Sequence, residues 1–178
     1  MRDFLAPSFG TAFGVAEVTS YQTLASRLSR SYCARLASVH PPSALLDWAG
    51  AALVVDLSPQ ALQVERGAIR LLSNPAAKPR VFPAEEGSAE VTLIDYRPGS
   101  VRAEVKAARP ATIVFSETDY PGWRASVDGK PIAHERFEGI FPAVPVAQGT
   151  HVVSFRFVPL SFWIGLPISA GTLAAMLL

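Results

Sequence analysis

From residue 88 onward, apolar and polar residues alternate along the chain with a period of two. In VRAEVKA, Val101, Ala103, Val105 and Ala107 fall on one face, and Arg102, Glu104 and Lys106 on the other. That is the signature of a half-buried antiparallel strand. AEVTLIDYR before it reads as a strand, with RPGS as the turn between them. ATIVFSE is apolar throughout and reads as a central strand. WRASVDGKPIAHE alternates again, with Trp123, Ala125 and Val127 inward. It turns at Asp128-Gly129, a strong hairpin signal. GIFPAVPV carries Pro142 and Pro145, which predicts an edge strand. AQGT then turns, and HVVSFRFV is the last strand. Strand after strand with turn residues between them predicts an antiparallel β-sandwich, jelly-roll-like in kind.

Upstream the period changes. Leu24, Leu28, Tyr32 and Leu36 recur every four residues behind Ser20, which predicts a capped amphipathic helix over 21–38. His40-Pro41-Pro42 stops it. A short helical turn over 43–50 and a buried strand over 51–57 follow. LQVE and AIRLL read as two short strands about Arg66-Gly67. The stretch 74–87 carries Pro75, Pro79 and Pro83 and predicts an extended connection. The division is therefore a small α/β subregion over 1–73, a Pro-rich connection over 74–87, the sandwich over 88–158 and a last segment over 159–178. The fold class is mainly β with an N-terminal α/β part.

That last segment changes the picture most. Leu160 to Leu178 holds no charged residue, and a spanning helix needs about 20 apolar residues. Trp163 lies near its start, where interfacial aromatics sit. Pro167 and Gly171 would harm a soluble helix but are tolerated in membranes. The expectation is a transmembrane helix, cut short, in a piece of a longer protein. Composition agrees: charged residues are 17% of the chain, below the roughly 25% of soluble domains. Mean hydropathy is +0.26. A net charge of +1 with scattered Lys and Arg argues against nucleic acid as a partner. The N-terminus is broken by Pro7 and Gly10 and does not read as a signal peptide.

Candidate chemistry is sparse. Cys33 is the lone cysteine, so no internal disulfide and no Cys-based zinc site can form. His40, His134 and His151 lie far apart without metal-ligand spacing, so neither a metal nor another cofactor is expected. No GxSxG, GxGxxG or GxxxxGK occurs. Glu85-Glu86, Glu117/Asp119 and Glu135/Glu138 are the nearest carboxylate pairs, and each reads as solvated strand ends. The densest stretch is SETDYPGWRASVDGKPI. Pro121-Gly122 fits the centre of a type II turn, and Trp123 after it belongs to the core. Asp119, Tyr120 and Arg124 remain at the exposed bend as candidate contacts to a glycan or acceptor.

Several segments, in order, carry a resemblance: NPAAKPRVF, YRPGSVRAEVKAARPATIVFSETDYPGWRASVDGKPI and FPAVPVAQGTHVVSFRFVPLSFWIGLPIS. With them, residues 72–178 resemble the YfhO family of bacterial multi-pass membrane proteins, which belongs with the GT-C class of lipid-linked-sugar glycosyltransferases. Asn74, Arg80, Tyr120, Pro121, Gly122, Trp123, Asp128 and Gly129 match family motif positions. Upstream, Ser20, Gln22 and Trp48-Ala49-Gly50 depart from the family's pattern. The resemblance implies a non-catalytic extracytoplasmic domain and the start of the last membrane helix, on the bacterial cytoplasmic membrane. The catalytic acid of GT-C enzymes lies in an early loop outside this chain, so no catalytic residue falls on it. The implied partners are the bilayer, an upstream membrane domain, and a polyprenyl-phosphate sugar or envelope glycan. The rival expectation is a membrane-tethered carbohydrate-binding or interaction module without enzymatic activity.

Overall fold

The computed structural model describes residues 27–36, 42–56 and 70–176. Three helices are present among them: α1 (Arg27–Leu36), α2 (Ala44–Trp48) and α3 (Leu160–Met176). The strands are β1 (Leu53–Asp56), β2 (Arg70–Ser73), β3 (Val81–Pro83), β4 (Ala89–Arg97), β5 (Ser100–Ala107) and β6 (Ala111–Phe115). They continue with β7 (Trp123–Val127), β8 (Lys130–Ile132), β9 (Glu135–Phe137), β10 (Phe141–Val146) and β11 (Gly149–Phe157). The chain forms two compact units. One comprises the described residues up to Phe82 with Ser116–Thr118, and the other the described residues of 83–115 and from Asp119 onward.

In the first unit, α1 buries Tyr32 and Leu36, four residues apart, and leaves Arg30 and Arg35 exposed. The Tyr32 hydroxyl donates to the Leu45 carbonyl just inside α2. β1 and β2 pair antiparallel from Leu53–Ser73 to Asp56–Arg70. Asn74 is buried and donates through Nδ2 to Asp47 Oδ1 (2.8 Å) and the Ala51 carbonyl (3.1 Å). Its short amide thus fixes the chain leaving β2 against the loop leaving α2. Arg80 donates to the Ser116 carbonyl at 3.2 Å, and Ser116 Oγ donates to the Trp48 carbonyl at 2.8 Å. The proposed strand at 62–65 and the early part of the 21–38 helix lie outside the described residues.

The second unit holds a sheet of order β4-β5-β11-β7-β8, every pair antiparallel. In a second sheet β10 pairs with β6 and with β9, again antiparallel. β5 alternates as its sequence predicts: Val101, Ala103, Val105 and Ala107 are buried and Arg102 and Lys106 exposed. Val153 and Phe155 of β11 and Ala125 of β7 continue that apolar face. The two sheets meet through Phe115 of β6. Its ring stacks on Phe155 with centroids 5.4 Å apart and meets the edge of Trp123 at 5.2 Å. A jelly roll is not shown by these strand orders.

One expectation is corrected here. β10 is not an edge strand, since β6 lies on one side and β9 on the other. Its prolines are tolerated because neither sits where both ladders run. Pro142 is paired with Arg136 of β9 before the β6 ladder begins, and Pro145 is paired with Thr112 of β6 after β9 has ended. Each missing N–H therefore falls at a local edge. The apolar C-terminal segment is helical over its described residues. α3 is 17 residues, about 25 Å at 1.5 Å per residue, against a hydrocarbon core of about 30 Å. No helix among the described residues is long and apolar enough to cross a membrane.

Candidate functional site

The chain passes from one sheet of the second unit to the other between β6 and β7. The last part of that connection is Asp119-Tyr120-Pro121-Gly122. Trp123 N–H donates to the Tyr120 carbonyl at 3.2 Å, and Gly122 has φ +120°. This is the anticipated type II turn, with glycine where φ must be positive. Gly122 is also needed for space. A Cβ there would lie 3.1 Å from Pro159 Cα and from Phe157 Cε2. The Gly122 carbonyl accepts from Val158 N–H at 2.7 Å, so the turn clasps the chain just before α3.

Asp119 is not at the surface. It is 6% exposed, and its carboxylate is fully engaged. Oδ2 accepts from Arg136 Nε at 2.6 Å, and Oδ1 lies 2.9 Å from His134 Nε2. Its backbone N–H donates to the Ile140 carbonyl at 2.7 Å. His134 stands where the chain returns from β8 to β9, and Arg136 stands on β9 itself. One buried carboxylate therefore ties together two of the places where the chain changes sheets, β6 to β7 and β8 to β9. A buried carboxylate held by one charge-assisted hydrogen bond on each oxygen is stabilised in that position.

The other two proposed contacts differ in placement. Tyr120 is 36% exposed, and Arg124 is exposed on β7, pointing away from the buried Ala125. Neither is hydrogen-bonded or ion-paired to Asp119 among the described residues. Trp123 is half-buried, its ring 5.2 Å from Phe115 and 5.2 Å from Phe157. It packs rather than presents itself to a ligand. Arg80 is 3.8 Å from Glu117 in the first unit.

Asp128 and Gly129 both have positive φ, +52° and +77°, as a type I′ hairpin turn requires. Asp128 does more than turn the chain. Its Oδ1 accepts from Val152 N–H and its Oδ2 lies 2.8 Å from His151 Nδ1. His151 Nε2 is buried without a hydrogen-bond partner among the described residues. The hydrogen bond from His151, then that from Val152, holds the Asp128 carboxyl below its ordinary value. A carboxylate so depressed adds stability above its unfolded pKa of about 4 and loses it as pH falls through the lower folded value. We expect urea unfolding between pH 6 and pH 3 to find a smaller acid-induced loss of stability in Asp128→Asn than in the parent. Equal pH dependence of the two proteins would contradict the pairing.

Sequence reasoning missed the Asp119–His134–Arg136 set: it named Asp119 and His134 separately and did not single out Arg136. His134 precedes the short strand β9 and Arg136 lies on it, and the hairpin turn after β9 is Glu138-Gly139, with φ +52° and +75°. Glutamate in that position is an uncommon turn signal, so the fold that brings Arg136 back to Asp119 was hidden. Among the described residues no three His, Cys, Asp or Glu side chains are grouped as a metal set.

The fold and this bend define a two-sheet antiparallel β protein that runs directly into an uncharged helix, with a buried carboxylate held by a histidine and an arginine at the bend. The chain belongs to the YfhO family, described as bacterial membrane protein YfhO, which it matches over residues 64–169. That match takes in β2 to β11 and the first part of α3, and makes this a bacterial membrane protein. No curated protein and no solved structure matches the chain.

Proposed function

We propose that the chain is a non-catalytic extracytoplasmic domain of a multi-pass, glycosyltransferase-like membrane protein. The parent reaction moves a sugar from a polyprenyl-phosphate donor to a cell-envelope glycan or teichoic-acid-type acceptor. The domain caps the membrane bundle and helps shape the acceptor site. Family membership supports the membrane setting. The observation that carries the non-catalytic part is the engagement of Asp119: the bend's only buried carboxylate is held by His134 and Arg136. Acid–base work needs a carboxyl group free to meet substrate.

Acceptor contact then rests on Tyr120 and Arg124, which flank the Pro121-Gly122 turn and are open to solvent. α3 fits the start of the last membrane helix. It carries no charge, and Leu160, Phe162, Trp163, Ile164, Leu166 and Ile168 are all exposed around its circumference. A helix apolar on every side suits lipid better than water.

The test is steady-state sugar transfer by the whole membrane protein carrying Tyr120→Ala. We expect KM for the acceptor to rise about tenfold, the size of one lost aromatic contact of roughly 1–1.5 kcal/mol, with kcat kept within about twofold. A collapse of kcat at unchanged KM would make the bend part of the chemistry. Glycan binding by this chain with no transferase activity in the whole protein would instead favour the carbohydrate-binding module.

A further inference from the structure

The outward face of the five-stranded sheet ends in a row of arginines beside α3. Cross-strand partners share a face, and the register runs Arg97–Ser100–Arg156–Arg124 across β4, β5, β11 and β7. Arg102, in the next row of β5, joins them on the same face. All four arginines are exposed. Two acids lie nearby: Asp95, opposite Arg102 in the register, pairs with Arg97 at 3.2 Å, and Glu104, two residues on from Arg102, pairs with Lys106 at 3.6 Å. Arg102, Arg124 and Arg156 have no ion-pair partner among the described residues.

Such a row is costly by itself. Arg124 and Arg156 are directly opposed, and like charges in that position repel. An anion lying over the row removes the repulsion and takes several guanidinium forks at once. Its position names the anion's source. β11 ends one residue after Arg156, Val158 is tied back to Gly122, and the uncharged α3 begins at Leu160. Cationic row and apolar helix are therefore four residues apart in sequence. An apolar element joined to a basic patch is the two-signal arrangement that holds proteins to anionic bilayers.

We propose that this arginine face binds the phosphate headgroups of anionic phospholipids, seating the β domain on the bilayer surface where α3 meets it. The idea goes beyond the proposed acceptor site and does not need it. The far end of the sheet lacks the feature: there Lys106 pairs with Glu104, and Arg109 beyond β5 pairs with Glu85.

The experiment is flotation of the full chain with phosphatidylcholine vesicles, with and without phosphatidylglycerol. The variant is Arg102→Gln/Arg156→Gln, which leaves Tyr120 and Arg124 intact, so its failure is separable from that of the acceptor reading. Both side chains are exposed, and circular dichroism checks that the sheet persists. We expect phosphatidylglycerol to strengthen binding of the parent, and the double variant to lose about 25-fold of that affinity, roughly fivefold per arginine. Binding to neutral vesicles should not change. Arg109→Gln, which removes a charge away from the row, should lose less than about twofold. Equal loss in Arg109→Gln would reduce the effect to net charge and overturn the proposal, as would indifference to phosphatidylglycerol. A third arm replaces phosphatidylglycerol with polyprenyl phosphate at equal charge. Binding that needs the polyprenyl lipid would assign the row to a substrate and overturn it as well.

Discussion

Replacing Phe115 by alanine lowers the unfolding free energy by about 4 kcal/mol, within the range for truncating a buried phenylalanine. Phe115 is 1% exposed and is the last residue of β6. Its ring is the contact by which the β6–β10 ladder meets the other sheet, stacking on Phe155 and meeting Trp123 edge-on. Truncation removes both aromatic contacts and leaves a void with Phe155, itself fully buried, as one wall. The backbone around it is held in ladders on both sheets, so collapse into the void is limited. Phe115→Leu retains most of the volume and is expected to cost about 1.5 kcal/mol. Chemical denaturation monitored by tryptophan fluorescence measures both, since Trp123 is a direct neighbour. A loss below about 1 kcal/mol for the alanine variant would mean that the two sheets do not pack through this ring.

What was legible in the sequence was local. The alternation of β5 needed only its own eight residues, and Asp128-Gly129 and Pro121-Gly122 declare their turns through the φ values that those residues favour. What was not legible depends on partners far along the chain. The proline pair in β10 signals an edge, and each proline is indeed at one, but at the end of a neighbouring ladder rather than of the sheet. No pattern within Phe141–Val146 states where β6 begins or β9 ends. Likewise Asp119, between a threonine and a tyrosine, reads as a solvated strand end. Its burial follows from His134 and Arg136, 15 and 17 residues on, and those reach it only because Glu138-Gly139 turns β9 into β10. For α3 the composition was read correctly as apolar and uncharged. The bounds of the described helix, Leu160–Met176, are a property that composition does not give.

Asp119→Ala is the second large effect, about 3 kcal/mol, and it separates a structural from a reactive carboxylate. Removing one member of a buried ion pair costs about 3–5 kcal/mol because the partner's charge is left behind. Here the lower end applies, since the Arg136 side chain is 51% exposed and can recover water, whereas His134 at 19% recovers less. For a chain of this size the loss corresponds to a fall in Tm of roughly 6–12 °C. Asp119→Asn keeps the shape and one acceptor oxygen but turns an NH2 toward one of the two donors. It should cost about 1.5 kcal/mol. Arg136→Ala should cost less than Asp119→Ala, because it leaves the carboxylate its bond from His134 and its tie through the backbone to Ile140. That order, alanine worse than asparagine and the acid worse than its arginine, is what a tie between two sheet crossings produces. A reactive carboxylate produces the opposite split: full stability in Asp119→Asn together with loss of turnover in the whole membrane protein. Thermal unfolding of the three variants, measured beside sugar transfer, decides between the two.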